Sequence, residues 1–268
     1  MKIGNQEFLD RGHTYVWGIL NITPDSFSDG GKYVQREAAL KRVEEMIEEG
    51  ADILDIGGES TRPGFTHISQ EEEIERVIPI IEAIKCRFSI PISLDTIHSK
   101  VAQAGIVAGA DLINDIGGLC DEAMARLVAQ TGVAYCLVHH KPSFEKEHGI
   151  AQLVKDLLES VALAHQSGIA KEKIILDPGI GFAKTQQQNL AIIKQIDQLT
   201  KLDYPILLGA SRKSVIGYAL DLPVTQRVEG TLGTTTWAVM KGCTHVRVHD
   251  VKENVRVIRM LQAILDSD

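Results

Sequence analysis

Short apolar runs in the sequence end in polar residues whose side chains could bind a small molecule. Three of these are Asp95 and Asp177, which carry carboxylates, and Asn114, whose amide both donates and accepts hydrogen bonds. A flat ring with an amidine-like edge presents amino and ring N–H groups, which pair with carboxylate and amide oxygens. The three residues therefore predict a site for a planar nitrogen heterocycle without specifying which one.

Two segments near the carboxyl end predict a cationic cluster. One reads Gly-Ala-Ser-Arg-Lys over residues 209–213 and precedes a helix-like stretch, and the other reads Arg-Val-His-Asp over residues 247–250. Alternate residues of a strand point the same way, so Arg247 and His249 should face the same side. Because helix N-terminal amides and cationic side chains suit an anion, the cluster favours a phosphate site.

A structural role for the same cations stays open. Arg247 and Lys213 could form ion pairs within the protein. Their available partners are Asp55, Asp95 and Asp177. Such a network would not exclude an anion site.

Two polar loops are longer than a connection between a strand and a helix requires. They span residues 21–31 and 55–64. Long irregular loops in compact domains are commonly lids or binding loops, although a merely ordered surface loop would have the same sequence character. Phe27 and Pro63 could close over a flat ring, and Arg62 could meet a carboxylate of the other loop or an anionic substrate.

Patterns for metal binding are weak. His139 and His140 are adjacent and should point to opposite sides of a strand, and no His-x-His pair accompanies them. We therefore expect one inward histidine rather than a catalytic zinc site. Asn21 could share Mg²⁺ with a diphosphate, since this ion takes one or two protein oxygens and completes its shell with phosphate and water.

Eight repeats of one unit would position these residues. Each unit begins with a short apolar run without strict polar alternation, which is typical of a strand buried on both faces of a parallel sheet. The runs end at Asn21, Asp55, Asp95, Asn114, His139, Asp177, Ser211 and the pair Arg247 and His249. Segments with helical spacing follow, among them 37–50, 71–88, 150–168 and 186–200. Gly50 and Gly168 end two of them, where a left-handed cap is commonly needed.

The repeats predict an α/β fold, a single-domain (β/α)8 TIM barrel over residues 1–268. The length matches the roughly 250 residues of such a barrel, and closure removes the exposed edges of an open sheet. A doubly wound open sheet is the alternative, but the first strand is followed by no Gly-x-Gly-x-x-Gly fingerprint. In a barrel the carboxyl ends of the strands converge on one mouth, so the polar endings should be neighbours.

Composition narrows the class of protein and its compartment. The chain is 44% hydrophobic and 24% charged, with 36 acidic and 28 basic side chains and a net charge of -8. No basic cluster is present to bind nucleic acid, although a small anionic substrate could occupy a local cationic pocket. Without a membrane-length apolar run or a targeting pattern, we expect a cytoplasmic protein with no membrane partner. Four widely spaced cysteines predict reduced thiols, the last three in or beside buried segments: Cys86, Cys120, Cys136 and Cys243.

Seven ordered segments resemble the motif set of dihydropteroate synthases and cover the chain nearly end to end. They are GILNITPDSFSDGG (18–31), DIGGESTRPG (55–64), SLDT (93–96), NDIGG (114–118), DPGIGFAK (177–184), GASRK (209–213) and RVHD (247–250). The first two and GASRK are the most specific. The resemblance implies a transferase of folate biosynthesis that condenses 6-hydroxymethyl-7,8-dihydropterin diphosphate with p-aminobenzoate, giving 7,8-dihydropteroate and diphosphate.

The resemblance also implies roles for individual residues. Those implied to hold the pterin are Asp95, Asn114, Asp177 and Lys213, with Arg247 stacked on it. Those implied to bind the diphosphate with Mg²⁺, the expected cofactor, are Asn21 as metal ligand, Arg247 and His249. Those implied to surround p-aminobenzoate are Phe27, Thr61, Arg62, Pro63, Phe182 and Ser211, with the carboxylate near a helix opened by Ser211. The expected catalytic residues are Asp95, Lys213, Arg247, Asp29 and Arg62, and the implied assembly is a homodimer through outer helices.

Two positions depart from the family pattern. Trp17 stands where Met is usual, and Val138 stands where Met often lines the pterin pocket. Exchanging one apolar residue for another should cost about 1 kcal/mol and removes no polar contact, so the predicted activity stands.

Two other functions are compatible with a pterin-binding barrel. A non-catalytic pterin-binding paralogue would not need Asn21, Arg62 and Lys213. A pterin-dependent methyltransferase domain acting with a corrinoid partner would not need the two long loops or the GASRK segment. Because the sequence keeps all of these, we expect the synthase.

Overall fold

The computed structural model describes residues 1–9, 11–22, 32–59, 68–141, 144 and 149–267, and within the third range it describes side chains from residue 36 onward. The strands in these ranges are β1 (Lys2–Ile3), β2 (Gln6–Glu7), β3 (Tyr15–Asn21), β4 (Ile53–Gly57), β5 (Ile92–Asp95), β6 (Leu112–Asp115), β7 (Ala134–Val138), β8 (Ile174–Asp177), β9 (Leu207–Leu208) and β10 (His245–Val248). The α-helices are α1 (Lys32–Glu49), α2 (Gln70–Arg87), α3 (Ser99–Ala108), α4 (Glu122–Thr131), α5 (Ile150–Gln166), α6 (Gln186–Lys194), α7 (Asp197–Thr200), α8 (Ser214–Leu220), α9 (Val228–Met240) and α10 (Val251–Leu265).

Strands β3 to β10 form one parallel sheet that closes on itself. Their order is β8-β7-β6-β5-β4-β3-β10-β9. The two ends meet because Leu176 pairs in parallel with Ile206, and the Leu176 amide donates to Pro205 O at 2.9 Å. The predicted (β/α)8 barrel is therefore confirmed, and the open doubly wound sheet is wrong.

The outer helices follow the predicted segments with two differences. Gly50 and Gly168 have φ of 100° and 97°, as their positions predicted. Helix α1 begins at Lys32, five residues before the predicted start. The single helix predicted over 186–200 is wrong at its centre, where the chain bends between α6 and α7 and brings both Ile196 and Leu199 into the core.

Strand alternation divides the barrel into an outer and an inner core. Outward-facing residues such as Leu54, Leu94 and Leu176 pack against the helices. The inward-facing apolar residues are Tyr15, Trp17, Ile53, Leu112, Ala134, Cys136, Val138, Ile175 and Leu207. Towards the carboxyl ends of the strands, most inward positions carry polar residues, and Val138 and Ile19 are apolar exceptions.

A short hairpin that the sequence did not predict covers the amino-terminal ends of the barrel strands, which we call the bottom. Strands β1 and β2 pair antiparallel around Gly4, whose φ is 56°. Ile3 and Phe8 are 0% and 4% exposed and pack with Tyr15 inside the barrel. Their burial adds apolar stabilisation at the bottom.

The state of the cysteines and the character of the helices can be compared with the expectations from the sequence. All four cysteines are free thiols, with Cys136 and Cys243 buried. Cys120, expected in or beside a buried segment, is exposed in the loop that follows the buried strand β6. Within the part of the chain described here, no helix combines the length and apolar character needed to cross a membrane.

Candidate active site

Arg247 lies in an ion-pair network inside the barrel. Its Nε donates to Asp55 Oδ2 at 2.5 Å, and a terminal amino group donates to Asp95 Oδ2 at 2.6 Å. The Asp55, Asp95 and Arg247 side chains are 0%, 9% and 15% exposed. The structural network that the sequence left open is therefore present for Arg247, and it uses two of the five guanidinium N–H donors.

Asn114 lies beside this network and presents a buried acceptor. Ser93 Oγ donates to Asp55 Oδ1 at 2.5 Å, and Asn114 Nδ2 approaches the two Asp55 oxygens at 3.4 and 3.5 Å. Asn114 Oδ1 is buried and has no hydrogen-bond partner among the described residues. A buried polar atom without a partner is costly, so this oxygen suits a ligand donor. We call Asp55, Ser93, Asp95 and Asn114 the floor.

Asp177 approaches two cations across a glycine. Its Oδ1 accepts from the Gly179 amide at 2.7 Å. A Cβ on Gly209 would lie 3.4 Å from Asp177 Oδ2, 3.8 Å from Lys213 Nζ and 3.9 Å from Arg247 Cβ. The missing side chain at position 209 thus lets a carboxylate and two cations converge at the mouth.

Lys213 bonds to a backbone carbonyl of the neighbouring loop. Its Nζ donates to Ile180 O at 2.7 Å and lies 4.7 Å from the centroid of the Phe182 ring. The sequence had left open an ion pair with Asp55, Asp95 or Asp177, and the described hydrogen bond instead joins Lys213 to the loop after β8. The ammonium and the Phe182 ring form a cation–π contact on one wall of the site.

Ser211 and His249 also line the site, next to each other. Ser211 Oγ and His249 Nδ1 are 3.0 Å apart, and the His249 amide donates to Ser211 Oγ at 3.2 Å. The expectation that Ser211 opens a helix is wrong, because α8 begins at Ser214 with Lys213 at its N-cap. Arg212 has a left-handed φ of 56°, which breaks helical geometry before that point.

Arg227, which the sequence did not single out, braces the backbone of this segment. Its guanidinium donates to Arg212 O at 3.0 Å and to Lys213 O at 3.3 Å. The Arg212 amide donates to Thr231 Oγ1 at 3.1 Å, and the Arg212 side chain pairs with both Asp250 carboxylate oxygens. Helix α9 and the segment after β10 therefore fix the loop that carries Lys213.

A cavity of about 310 Å³ opens at the mouth and reaches one floor residue, Asp95, whereas the predicted residues Asn114 and Asp177 are not among its lining residues. The predicted residues that line it are Asn21, Asp95, Phe182, Ser211, Lys213, Arg247 and His249. Glu59 and Arg227 also line it, although neither was predicted. The predicted residues Phe27, Asp29, Thr61, Arg62 and Pro63 lie outside the described residues.

Comparisons with known proteins assign the family. A family model described as pterin binding enzyme matches residues 17–249. The dihydropteroate synthase of Clostridium beijerinckii is 52% identical over 267 residues, covering 99% of each chain. The chain belongs to the dihydropteroate synthase family.

Two solved dihydropteroate synthases share the fold. One from Clostridium difficile, determined in the presence of pteroic acid, is 42% identical with a TM-score of 0.93 and covers 97% of this chain and 100% of that chain. One from Xanthomonas albilineans with 4-aminobenzoic acid is 38% identical with a TM-score of 0.90, covering 96% and 94%.

Burial shifts the pKa of two groups in this dihydropteroate synthase site towards neutrality. It raises the pKa of Asp95 to about 7, against the opposing effect of Arg247. Burial also lowers the pKa of Lys213 to about 8, while Asp177 favours the charged ammonium. The pKa of Asp177 is raised by burial and held down partly by Lys213. Groups with pKa values near the working pH are characteristic of sites that bind or stabilise changing charge.

The two departures from the dihydropteroate synthase pattern lie at different heights in the barrel. Trp17 is fully buried, and its Nε1 donates to His245 Nδ1 at 3.0 Å near the bottom. Val138 is 1% exposed at the end of β7, in the inner core that Phe182 also contacts. Only Val138 is therefore near the mouth.

The two adjacent histidines diverge as expected. His139 is buried and its Nε2 lies 3.1 Å from Asp156 Oδ2 on α5. His140 Nδ1 lies 3.0 Å from Ile116 O, and its ring centroid is 5.3 Å from that of Phe182. Burial lowers the pKa of His139 to about 4, so this histidine is neutral at physiological pH. It faces an outer helix rather than the cavity.

Proposed function

We propose that this chain condenses 6-hydroxymethyl-7,8-dihydropterin diphosphate with p-aminobenzoate, giving 7,8-dihydropteroate and diphosphate for folate biosynthesis. The observation that carries the proposal is the convergence of Asp95, Lys213, Arg247 and His249 on one cavity, with the unpartnered Asn114 Oδ1 on the strand position paired with Asp95. The hydrogen-bond acceptors of the floor suit the donor edge of a pterin. Cations nearer the opening suit a phosphorylated tail.

The pterin would be held by groups from four strand ends. Asp95, Asn114 and Asp177 would accept from its amino and ring N–H groups, and Lys213 would donate to an acceptor on the ring. Arg247 would stack on the ring, held in place by its bonds to the floor. Each of these groups is largely buried, so its hydrogen bonds to the ring compete little with water.

p-Aminobenzoate would lie on the Phe182 side of the cavity. Its carboxylate would lie near Ser211 and the first amides of α8, which begins at Ser214. A helix N-terminus favours an anion because unpaired amides point towards it. The other residues proposed to surround this substrate are Phe27, Thr61, Arg62 and Pro63.

We propose that diphosphate leaves first and that the arylamine then attacks the delocalised pterin methylene cation. Arg247, His249 and Lys213 would stabilise the departing diphosphate, while Asp95 and Asp177 would stabilise the positive ring. Preorganised charges of this kind are usually the largest single contribution to catalysis. Closure of the loops that carry Asp29 and Arg62 would exclude water, which could otherwise capture the cation.

The oxygen of Asn21 fits a role for Mg²⁺. Asn21 ends β3 and lines the cavity, and its Oδ1 would lie 3.7 Å from a Cβ on Gly57. Among the described residues, no group of three or more acidic, histidine or cysteine side chains is placed to hold a metal ion. One amide oxygen suits an ion that arrives with the diphosphate, to which Mg²⁺ would supply charge neutralisation.

We further propose a homodimer in the cytoplasm. Exposed apolar side chains on α8 and α9 support an interface of outer helices: Tyr218, Leu220, Trp237 and Met240. Four free thiols support a reducing compartment. Light scattering of the purified chain tests the dimer, and a mass of one chain would contradict it.

The proposed reaction is tested by mixing the protein with Mg²⁺, the pterin diphosphate and p-aminobenzoate. Diphosphate release should match formation of 7,8-dihydropteroate, and a sulfonamide should compete with p-aminobenzoate because it resembles that substrate. Binding of the pterin without diphosphate release would favour a non-catalytic paralogue. Methyl transfer to a corrinoid protein without dihydropteroate formation would favour the methyltransferase.

A further inference from the structure

Lys184 is a second lysine at the mouth, and its environment differs from that of Lys213. Its Nζ donates to three backbone carbonyls, at 3.2 Å to His139 O, 3.0 Å to Gly179 O and 3.1 Å to Phe182 O. The mouth cavity is lined by Lys213 and not, within the described chain, by Lys184. Because all three of these acceptors are backbone carbonyls, we expect Lys184 to act on the protein rather than on a ligand.

The three carbonyls belong to the end of β7 and to the loop after β8, which we call the 178–184 loop. Gly179, Gly181 and Ala183 have φ of 66°, 88° and 48°. A Cβ on Gly179 would lie 2.0 Å from His139 O, so the loop passes directly against the end of β7. Repeated left-handed residues turn the loop carbonyls towards one point, which the Lys184 ammonium occupies.

The same loop controls two residues of the proposed site. The Gly179 amide donates to Asp177 Oδ1 at 2.7 Å, and Phe182 lines the cavity. From the cavity side, Lys213 bonds to the loop at Ile180 O. The loop is thus held by two lysine side chains, of which Lys213 lines the cavity.

We infer that Lys184 is a positioning residue that fixes the 178–184 loop against β7 and thereby sets Asp177 and Phe182 in place. The inference rests on the proposed function in one respect, namely that Asp177 contacts the pterin and Phe182 contacts p-aminobenzoate. Three carbonyls converging on the partly buried Lys184 Nζ form a compact anchor, because each oxygen accepts a hydrogen bond from the same nitrogen. Without the cation the carbonyls would lose this shared donor and the loop would move.

The test compares Lys184→Met with Lys201→Met, an exposed lysine at the end of α7. Lys184→Met keeps an unbranched side chain that is one heavy atom shorter, and it removes the donors. We expect its KM for both substrates to rise about tenfold or more, since small displacements of positioning groups have effects of up to about a hundredfold. Amide hydrogen exchange in residues 177–184 should become faster by about tenfold. Lys201→Met should change neither quantity.

Rescue separates positioning from general stability. Lys184→Ala leaves space among the three carbonyls, and methylammonium should restore part of its KM by supplying a cation with the same donors. A folded Lys184→Met with unchanged KM and exchange overturns the inference, as does Lys184→Ala that responds no more to methylammonium than wild type.

If Lys184→Met does not fold, Lys184→Arg carries the test: it keeps the charge, and we expect a KM raised about threefold or more because its planar fork cannot reproduce one central nitrogen. An unchanged KM would overturn the inference.

The two proposals fail in different ways. If the wild type forms no dihydropteroate, the proposed function fails while hydrogen exchange still tests the anchor. If the wild type is active and the Lys184 variants keep normal KM values, only the inference about Lys184 fails.

Discussion

The two ends of the barrel bury polar groups in opposite ways. At the bottom, Trp17 Nε1 donates to His245 Nδ1, and the Tyr15 hydroxyl accepts from the Leu9 amide at 2.8 Å, both within aromatic packing that includes Phe8. At the mouth, most of the corresponding inward positions carry polar groups, among them the charged Asp55, Asp95, Asp177 and Arg247. The barrel thus concentrates apolar stabilisation at one end and places desolvated charge at the other.

The pKa shifts express this difference. Burial lowers the pKa of His245 to about 3, so at the bottom the neutral form is retained across the physiological range. At the mouth, burial raises the pKa of Asp95 to about 7, which means that an ionised Asp95 costs folding free energy at neutral pH. We infer that the charged groups of the mouth lower the stability of the fold and serve binding, whereas the apolar packing of the bottom raises its stability.

A cavity at the bottom does not weaken this contrast. It is larger, about 450 Å³, and is lined by Arg11, Lys171 and Asp203 among others. These three charged side chains are exposed and form ion pairs, at 2.9 Å between Arg11 and Asp203 and at 2.8 Å between Lys171 and Asp203. Exposed paired charges offer a ligand less than the buried acceptors of the floor, so size alone does not identify the site.

The largest expected effect is a loss of stability from a change at the bottom that leaves activity at the mouth intact. Phe8→Ala should lower the free energy of unfolding by about 3 to 5 kcal/mol, because it removes a buried ring and leaves a cavity. The measurement is urea denaturation, with kcat/KM of the folded variant in parallel. Leu9→Ala, at an exposed neighbouring position, is the control and should have little effect. A large loss of kcat/KM in folded Phe8→Ala would show that the two ends are not separate.

The next largest effect is expected at the mouth, where a substitution should lower turnover strongly and change stability little. Lys213→Ala should lower turnover by about a hundredfold or more, because a buried cation that stabilises the departing diphosphate is lost. Its unfolding free energy should change much less than that of Phe8→Ala, since burial already disfavours the charged ammonium. The assays are steady-state kinetics and urea denaturation, with Lys201→Ala as an exposed control. Normal turnover in Lys213→Ala would refute the assigned role.

A third prediction uses pH to separate the two ends. kcat/KM should rise as pH increases through about 7, when Asp95 ionises, and fall through about 8, when Lys213 loses its proton, changing about tenfold per unit outside these limits. Stability has a different sign: the raised pKa of Asp95 stabilises the fold at low pH, and this contribution is lost as pH rises from about 4 to 7.

Asp95→Asn supplies the control for both statements. Its residual kcat/KM should lack the acidic limb, and its stability should not decrease at pH 7, because Arg247 keeps Asp55 as an ion partner. An acidic limb that persists in Asp95→Asn would assign that titration to another group.

Strand alternation explains how much of the site the sequence could predict. Asp95, Asn114, Asp177 and Arg247 end apolar runs, and a period of two fixes their inward direction once the barrel closes. The sequence could not show which carboxylate Arg247 pairs with. Its partner Asp55 lies on β4, which is separated from β10 by β3, and only the closed barrel brings the two side chains together.

The unpredicted features lack a periodic signal. The strands of the amino-terminal hairpin are two residues long, too short for alternation to be recognised. Arg227 follows a short 3-10 turn with no motif of its own, and its role depends on two backbone carbonyls of the Lys213 segment. The start of α8 was likewise predicted at Ser211, although the helix begins at Ser214. The left-handed residue that precedes the helix is Arg212, and no glycine marks this turn in the sequence.

The smallest effect tests where the inner core ends and the site begins. Val138 lies on the same inward surface as Trp17 but at the mouth, and Val138→Met would extend an apolar chain towards the ring without changing any polar contact. Because such exchanges cost about 1 kcal/mol, we expect the affinity for the pterin diphosphate to change by less than about tenfold in calorimetry without p-aminobenzoate. Val107→Met, at a position that is 86% exposed, is the matched control. A change well beyond tenfold would mean that Val138 belongs functionally with the floor, and that the boundary between stabilising core and binding site lies deeper in the barrel than the polar residues indicate.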